Sequence, residues 1–388
     1  MTNNAVDSDV PERMADSVAS NTDTAASDAD SAAPTADSTA DSAASATDDS
    51  ATTPTPIGVK LGSARTVFVY SDEDGDPETV QTRSCLAVPE DSDQFYYGED
   101  AEAKYPDQTT YVLDAGVPGD AERAELTEQF LTELCAAHDL PADSAVVFAI
   151  PAVDDECGLA NFNTMVDASD IGDAVTRGFP ESLCGSIPAV GDGLSAIDQI
   201  FAAINLGATT LEASGYRHGD RLAPFSTAAA TGNDVDQAIV DAIADETDGR
   251  VELARTTARE YKETYADFDS FEPFTDVFDH PEEGEQEFTV ERGLMDPLDA
   301  YLDDVVDELT TGFFSRLATQ HMRSYQLSVT RPLVVTGGMA CIPGLADELA
   351  SRLSDELDRD VTAVTPDHPE VAAAEGAYRL AERLATTH

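Results

Sequence analysis

Apolar positions along this chain fall into blocks of different period, and they start late. Residues 1–56 hold no Leu, Ile, Phe or Tyr. Such a stretch cannot offset the entropy of ordering by burial, which predicts a disordered tail. Order is expected to begin abruptly at Ile57. Residues 57–70 (IGVKLGSARTVFVY) read as strand, glycine turn, strand. A helix is expected over 119–138, with Leu126, Phe130, Leu131 and Leu134 on one face. The unbroken apolar run 145–153 (AVVFAIPAV) is what a strand buried on both sides of a sheet presents. A second hairpin follows at 201–214 (FAAINLGATTLEAS), then helices at about 233–245 and 251–265. Residues 266–292 are acidic and carry Pro273, Pro281 and Gly284, so an irregular loop or small insertion is expected there. The clearest helical period spans 297–320, where Leu298, Tyr301, Leu302, Val305, Leu309, Phe313 and Leu317 recur at steps of three and four. Leu333–Gly338 (LVVTGG) runs a strand into two glycines, and helices are expected at about 344–357 and 369–385. Strands alternating with helices indicate an α/β fold.

Two of these blocks resemble each other. Val59-Lys60-Leu61-Gly62-Ser63 and Ile204-Asn205-Leu206-Gly207-Ala208 share the order aliphatic, polar, Leu, Gly, small, about 145 residues apart. Each sits in a strand–turn–strand, so a duplicated α/β unit is expected. Three glycine turns then stand out: Gly62-Ser63, Gly207-Ala208-Thr209 and Gly337-Gly338. Small residues at a turn let backbone N–H groups approach phosphate oxygens. One such turn is commonly only a tight hairpin. Three, ordered as hairpin, hairpin and strand–Gly–Gly–helix, point to an anion site.

Charge narrows the function classes. The 388 residues include 77 acidic and 21 basic side chains, a net charge of -56. A nucleic-acid backbone or an anionic membrane would be repelled. Such self-repulsion is tolerable where salt screens it, since the Debye length is about 3 Å at 1 M salt. A halophilic source is expected. The 41% of hydrophobic residues is enough for a sizeable core, and the length suits one bilobed fold or two to three domains. Cys85, Cys135, Cys157, Cys184 and Cys341 lie far apart with no C-x-x-C spacing, which suggests reduced thiols rather than a zinc cage or disulfides. The six histidines form no paired ligand pattern. No apolar run or N-terminal leader suggests a membrane span or secretion, so a cytoplasmic location is expected.

The motifs, taken together, resemble the actin, MreB and heat-shock chaperone ATPase superfamily. Ile57-Gly58-Val59-Lys60-Leu61-Gly62-Ser63 is similar to that family's first phosphate hairpin, and Asn205-Leu206-Gly207-Ala208-Thr209-Thr210 to its second. Val146–Pro151 resembles its buried strand ending in Pro. Thr231–Asp236 resembles a Gly-Gly-Asp helix start, and Arg259-Glu260-Tyr261-Lys262 an adenosine-contacting helix. Val335–Ala340 with Pro343-Gly344-Leu345 is similar to the adenosine loop, and Pro369–Gly376 to the closing helix. The likeness spans 57–388, and its nearest form is the haloarchaeal actins of the salactin type. It implies two RNase H-like lobes about a central nucleotide cleft holding ATP (or another NTP) and Mg²⁺. Lobe I would cover 57–200, completed by the C-terminal helix at about 366–388. Lobe II would cover 201–365 with an insertion at about 266–292. The residues implied to contact nucleotide are Lys60, Gly62, Ser63, Asn205, Gly207, Ala208, Thr209, Asp234, Lys262, Gly337, Gly338 and Met339.

Departures from the family pattern qualify this. Lys60 and Asn205 stand where the family has Asp, and the place of its catalytic Glu matches Ser186-Ile187-Pro188, which has no carboxylate. Glu181 and Asp192 are the nearby acids that could serve. Plainer roles also exist: a strand-edge lysine for Lys60, a solvated helix face for Lys262, turn caps for Asn205 and Asp234. Yet only three lysines survive in the chain, Lys60, Lys104 and Lys262, and two of them fall in these motifs. Nucleotide binding is better supported than hydrolysis. The resemblance implies ATP-dependent self-association into dynamic filaments with slow ATP hydrolysis. A non-polymerising nucleotide sensor, or a degenerate ATPase, is the alternative. Chaperone and small-molecule kinase readings are weaker, because neither a peptide-binding domain nor a phosphoacceptor site is evident. The acidic tail would act as a bristle that limits filament bundling.

Overall fold

Strand β1 (Thr55–Leu61) starts two residues ahead of the expected Ile57, because Thr55 and Pro56 extend its parallel pairing. The computed structural model describes residues 53–387 apart from 73–74, 90–94, 153–154, 170, 191–192 and 281–283. The tail expected to be disordered lies outside the described residues as far as residue 52. The chain reverses after β1 into β2 (Arg65–Ser71) and again into β3 (Pro77–Arg83). Strands β4 (Cys85–Ala87), β5 (Tyr96–Tyr97) and β6 (Thr109–Tyr111) form a small sheet of their own. After the helix Ala121–Ala137, β7 (Ser144–Ile150) and β8 (Val175–Pro180) return to the first sheet, giving the order β3-β2-β1-β7-β8.

The second part repeats that plan. Strands β9 (Ile200–Leu206), β10 (Leu211–Arg217) and β11 (Asp220–Thr227) make the antiparallel part. The ribbon β12 (Phe274–His280) and β13 (Gly284–Val290) stands apart. Strands β14 (Leu333–Thr336) and β15 (Ala363–Val364) complete the order β11-β10-β9-β14-β15. In both sheets the first strand pairs antiparallel with the second and parallel with a later one, β1 with β7 and β9 with β14. The expected duplication is therefore present, with Lys60 and Asn205 at equivalent positions, each two residues before the glycine of its turn.

The β12–β13 ribbon corrects the expectation of an irregular loop at 266–292. Glu285 and Glu287 face outward on β13, while on β12 Val277 is exposed and Asp276 points inward, which breaks the apolar alternation. Phe274 stacks on Tyr265 with ring centroids 3.9 Å apart, and Phe278 meets Phe288 at 5.8 Å. The helix expected over 297–320 is continuous but carries one turn of π-helix at Leu309–Phe314.

Two buried helices position the site. The C-terminal helix Ala372–Ala385 lies on the first sheet, its Ala374 and Tyr378 packed on Val67 and Val69. The approach is so close that a Cβ at Gly58 would stand 2.2 Å from the Tyr378 nitrogen, and one at Gly376 only 1.9 Å from the Cys184 oxygen. The short helix Glu181–Ser186 is buried along its whole length. Cys184 packs on Ala373 and Ala377 of the C-terminal helix, while Leu183 packs on Phe201, Ala203, Tyr216 and Val334 of the second sheet. A hydrogen bond of 2.9 Å between the Ser182 and Tyr216 hydroxyls adds to this contact. The helix thus bridges the two sheets and presents its first residue, Glu181, at their junction.

Candidate functional site

Both glycine turns close in the same way. The Gly62 amide donates to the Arg65 carbonyl at 3.1 Å, and the Gly207 amide to the Thr210 carbonyl at 2.9 Å. The tips then meet: Thr209 Oγ1 donates to Ser63 Oγ at 2.8 Å, and the Gly116 amide donates to the same oxygen at 2.8 Å. Beneath the second tip, the amides of Gly232 and Asn233 donate to the carbonyls of Gly207 and Ala208 at 3.0 and 2.9 Å. This docks the start of the helix Gly232–Glu246 under the hairpin.

Around these tips opens a cleft of about 350 Å³. Its lining includes Lys60, Gly62, Ser63, Asn205, Gly207, Ala208, Thr209, Lys262, Gly338 and Met339. Asp234 and Gly337 are not part of it. Asp234 belongs to the helix cap: the Thr231 hydroxyl donates to Asp234 Oδ2 at 2.6 Å and accepts the Asp234 amide at 3.2 Å. Gly337 has φ +94°, and a Cβ there would stand 2.4 Å from the Leu206 oxygen and 2.6 Å from Asn205 Oδ1. It serves the close approach of β14 to β9 rather than the cleft wall.

On the floor, Glu181 Oε1 accepts a hydrogen bond from Asn205 Nδ2 at 3.0 Å and lies 3.4 Å from Lys60 Nζ. Glu181 also lines the cleft, whereas Ser186 is buried and donates its hydroxyl to the Ser182 carbonyl at 2.6 Å. Asp192 lies outside the described residues. Glu212, opposite Asn205 in the β9–β10 register, is 1% exposed and accepts the Ala152 amide at 2.9 Å. Burial, then the nearby Glu181 charge, push its carboxyl up to about 8, so it holds a proton at neutral pH.

Lys262 is not on a solvated face. Its ammonium donates to the Gly232 carbonyl at 3.0 Å and pairs with Asp236, which is 0% exposed. Arg259 Nε donates to the other Asp236 oxygen at 2.9 Å. Burial draws the Lys262 pKa down, against the pull of Asp236. Nearer the mouth, Arg65 Nη2 reaches Glu263 Oε2 at 2.8 Å.

Reading the sequence missed Glu212, and placed Asp236 and Arg259 in motifs without assigning them to the site. Asp236 was findable: it shares the buried stripe of its helix with Gly232, Val235, Ile239 and Ile243, which Asp234 does not. Glu212 is a lone carboxylate inside the buried strand LEASGYR.

Charge distinguishes the cleft from the rest of the chain. Five basic residues line it, Lys60, Arg65, Arg83, Arg259 and Lys262. Five acidic ones do too, Glu181, Glu212, Asp236, Glu263 and Glu370. Against 77 acids and 21 bases in the whole chain, this parity is a strong local enrichment in positive charge. With Glu212 protonated it favours an anion. Among the described residues, no group of three or more His, Cys, Asp or Glu could hold a metal ion, and no helix is long and apolar enough to cross a membrane.

A family model described as Salactin matches residues 54–385. A protein of Halobacterium salinarum named Salactin is 46% identical over 335 residues, covering 85% of this chain and 92% of that protein. Among solved structures, MreB5 of Spiroplasma citri bound to ADP superposes with a TM-score of 0.70 at 16% identity, covering 86% of this chain and 98% of that one. A MamK double helical filament superposes with a TM-score of 0.66 at 18% identity, covering 84% and 98%. At such identities the two structures show the fold alone, and that fold is actin-like.

Proposed function

This chain belongs to the Salactin family, and on that footing we propose that it is an actin-like cytoskeletal protein that binds ATP and polymerises into cytoplasmic filaments under nucleotide control. The observation that carries this reading is the cleft where two glycine hairpins meet at Ser63 and Thr209, with charge parity in a chain of net charge -56. Small residues at both tips admit phosphate oxygens to the backbone. Gly338 and Met339, which also line the cleft, suit the nucleoside end. The lobes are residues 57–200 with the C-terminal helix, and 201–365. Structural likeness to a MamK filament and to nucleotide-bound MreB5 supports self-association and a nucleotide ligand. A head-to-tail contact is the geometry that filaments require.

Hydrolysis, where it occurs, falls to Glu181. It is a carboxylate on the cleft floor, and its hydrogen bond from Asn205 fixes its orientation. Such a group can orient and deprotonate a water. The proton on Glu212 keeps a second negative charge away from the phosphates. The resemblance also implies Mg²⁺, whose chemistry would be to neutralise the phosphates. The donor set does not fit it: the equivalent positions hold an ammonium and an amide, Lys60 and Asn205, and no acid cluster is present among the described residues.

The test is to incubate the full chain in molar KCl with ATP, ADP or no nucleotide, following light scattering and phosphate release together. Scattering that rises with ATP and depends on nucleotide is expected. Nucleotide-independent scattering would sink the switch, and nucleotide binding with neither signal would favour a sensor.

A further inference from the structure

Lys60 is placed where the fold puts a polar side chain under each phosphate turn. Its equivalent by the internal duplication is Asn205, and both converge on one oxygen of Glu181, at 3.4 and 3.0 Å. The ammonium lies directly beneath the first turn: a Cβ on Gly62 would stand 3.4 Å from Lys60 Cε and 3.6 Å from Nζ. The side chain is 15% exposed, so the head can still reach into the cleft. One carboxylate, one amide and one ammonium therefore form the floor. A hard divalent cation seeks several oxygen donors with net negative charge. Here it would face a fixed positive charge and, in Glu181, a carboxylate already engaged by both Lys60 and Asn205.

The composition sharpens the point. A chain that keeps three lysines among 388 residues places one of them at this spot. A lysine here supplies, covalently and permanently, the point charge that phosphates need. We propose that the cleft takes its nucleoside polyphosphate as the metal-free anion, with the Lys60 ammonium standing in for the divalent cation. This rests on the nucleotide reading above and deepens it. Occupancy then follows nucleotide concentration alone and is blind to free divalent cation.

The experiment measures ATP affinity of the full chain by calorimetry in molar KCl, once with excess Mg²⁺ and once with EDTA. The two dissociation constants should agree within about threefold, less than the tenfold that 1.4 kcal/mol represents. A tenfold or greater loss in EDTA overturns the inference and leaves the nucleotide reading standing. No binding in either buffer overturns both. Lys60→Asp should convert the site, binding ATP at least about tenfold more weakly in EDTA than in Mg²⁺. Should its melting curve show that it does not fold, Lys60→Gln replaces it. That variant should weaken binding equally in both buffers, and undiminished affinity would overturn the proposal.

Discussion

Asp236 is the carboxylate on which the inner wall of the cleft depends, and removing it should cost stability that salt cannot restore. It is 0% exposed and bonds both Lys262 and Arg259, which are 6% and 8% exposed. Asp236→Ala strands two cations in a site water barely reaches. Breaking a buried pair by removing one partner costs about 3–5 kcal/mol. The lower end applies, because Lys262 keeps the Gly232 carbonyl and Arg259 keeps Asn233 Oδ1 at 3.2 Å. A loss of about 3 kcal/mol is a large share of the roughly 5–15 kcal/mol that folds a domain. Burial already lowers the Lys262 pKa, and without Asp236 it falls further. The folded variant then binds fewer protons than the unfolded one, so its deficit should shrink as pH rises toward the ordinary lysine value. The assay is urea unfolding across a KCl series. Screening acts on exposed charges, so the deficit should persist at molar salt. Arg292→Ala, which breaks the exposed Arg292–Asp296 pair, should show no deficit there. A deficit below about 1 kcal/mol for Asp236→Ala, or one that fades with salt, would refute the reasoning.

Four other variants probe different parts of the account. Glu212 is protonated in the fold up to about 8 and in the unfolded chain only to about 4.5, so its contribution is fully present below the lower value and lost as pH rises through the upper one. Glu212→Gln should flatten that part of the stability–pH curve in urea unfolding, and an unchanged slope would contradict it. Glu181→Gln should slow phosphate release about a hundredfold with ATP affinity little changed, and an unaltered rate would remove Glu181 from the chemistry. Gly376→Ala should destabilise by about 2–3 kcal/mol through overpacking, since the new Cβ meets the Cys184 carbonyl at 1.9 Å, whereas Gly338→Ala enters open space and should leave the melting temperature unchanged.

Local periodicity carried most of the architecture. The hairpins around Gly62 and Gly207, the strand at 145–150 and the helices near 233–245 and 344–357 were all legible, because burial there follows period. The ribbon at 274–290 was not, since Val277 is exposed, Glu285 and Glu287 face outward, and Phe274 packs on Tyr261 and Tyr265 of the preceding helix rather than within a sheet. In the site, turn residues were legible because small residues at a strand end have few other uses. The floor was not. That Lys60 and Asn205 share Glu181 depends on a helix bridging two sheets, a long-range placement no local pattern encodes. Asp234 and Asp236 show the same limit at closer range: both are acids at a helix start, and only the buried stripe tells which one faces inward.

The central claim is that the cleft around the two hairpin tips holds a nucleotide. Equilibrium ATP binding to the full chain and to Ala208→Trp, at a half-buried position that lines the cleft, tests it most directly. The account predicts saturable binding to one site in the native chain and its loss in the variant, with superimposable unfolding curves. Absence of saturable binding, or equal affinity in both proteins, would contradict it.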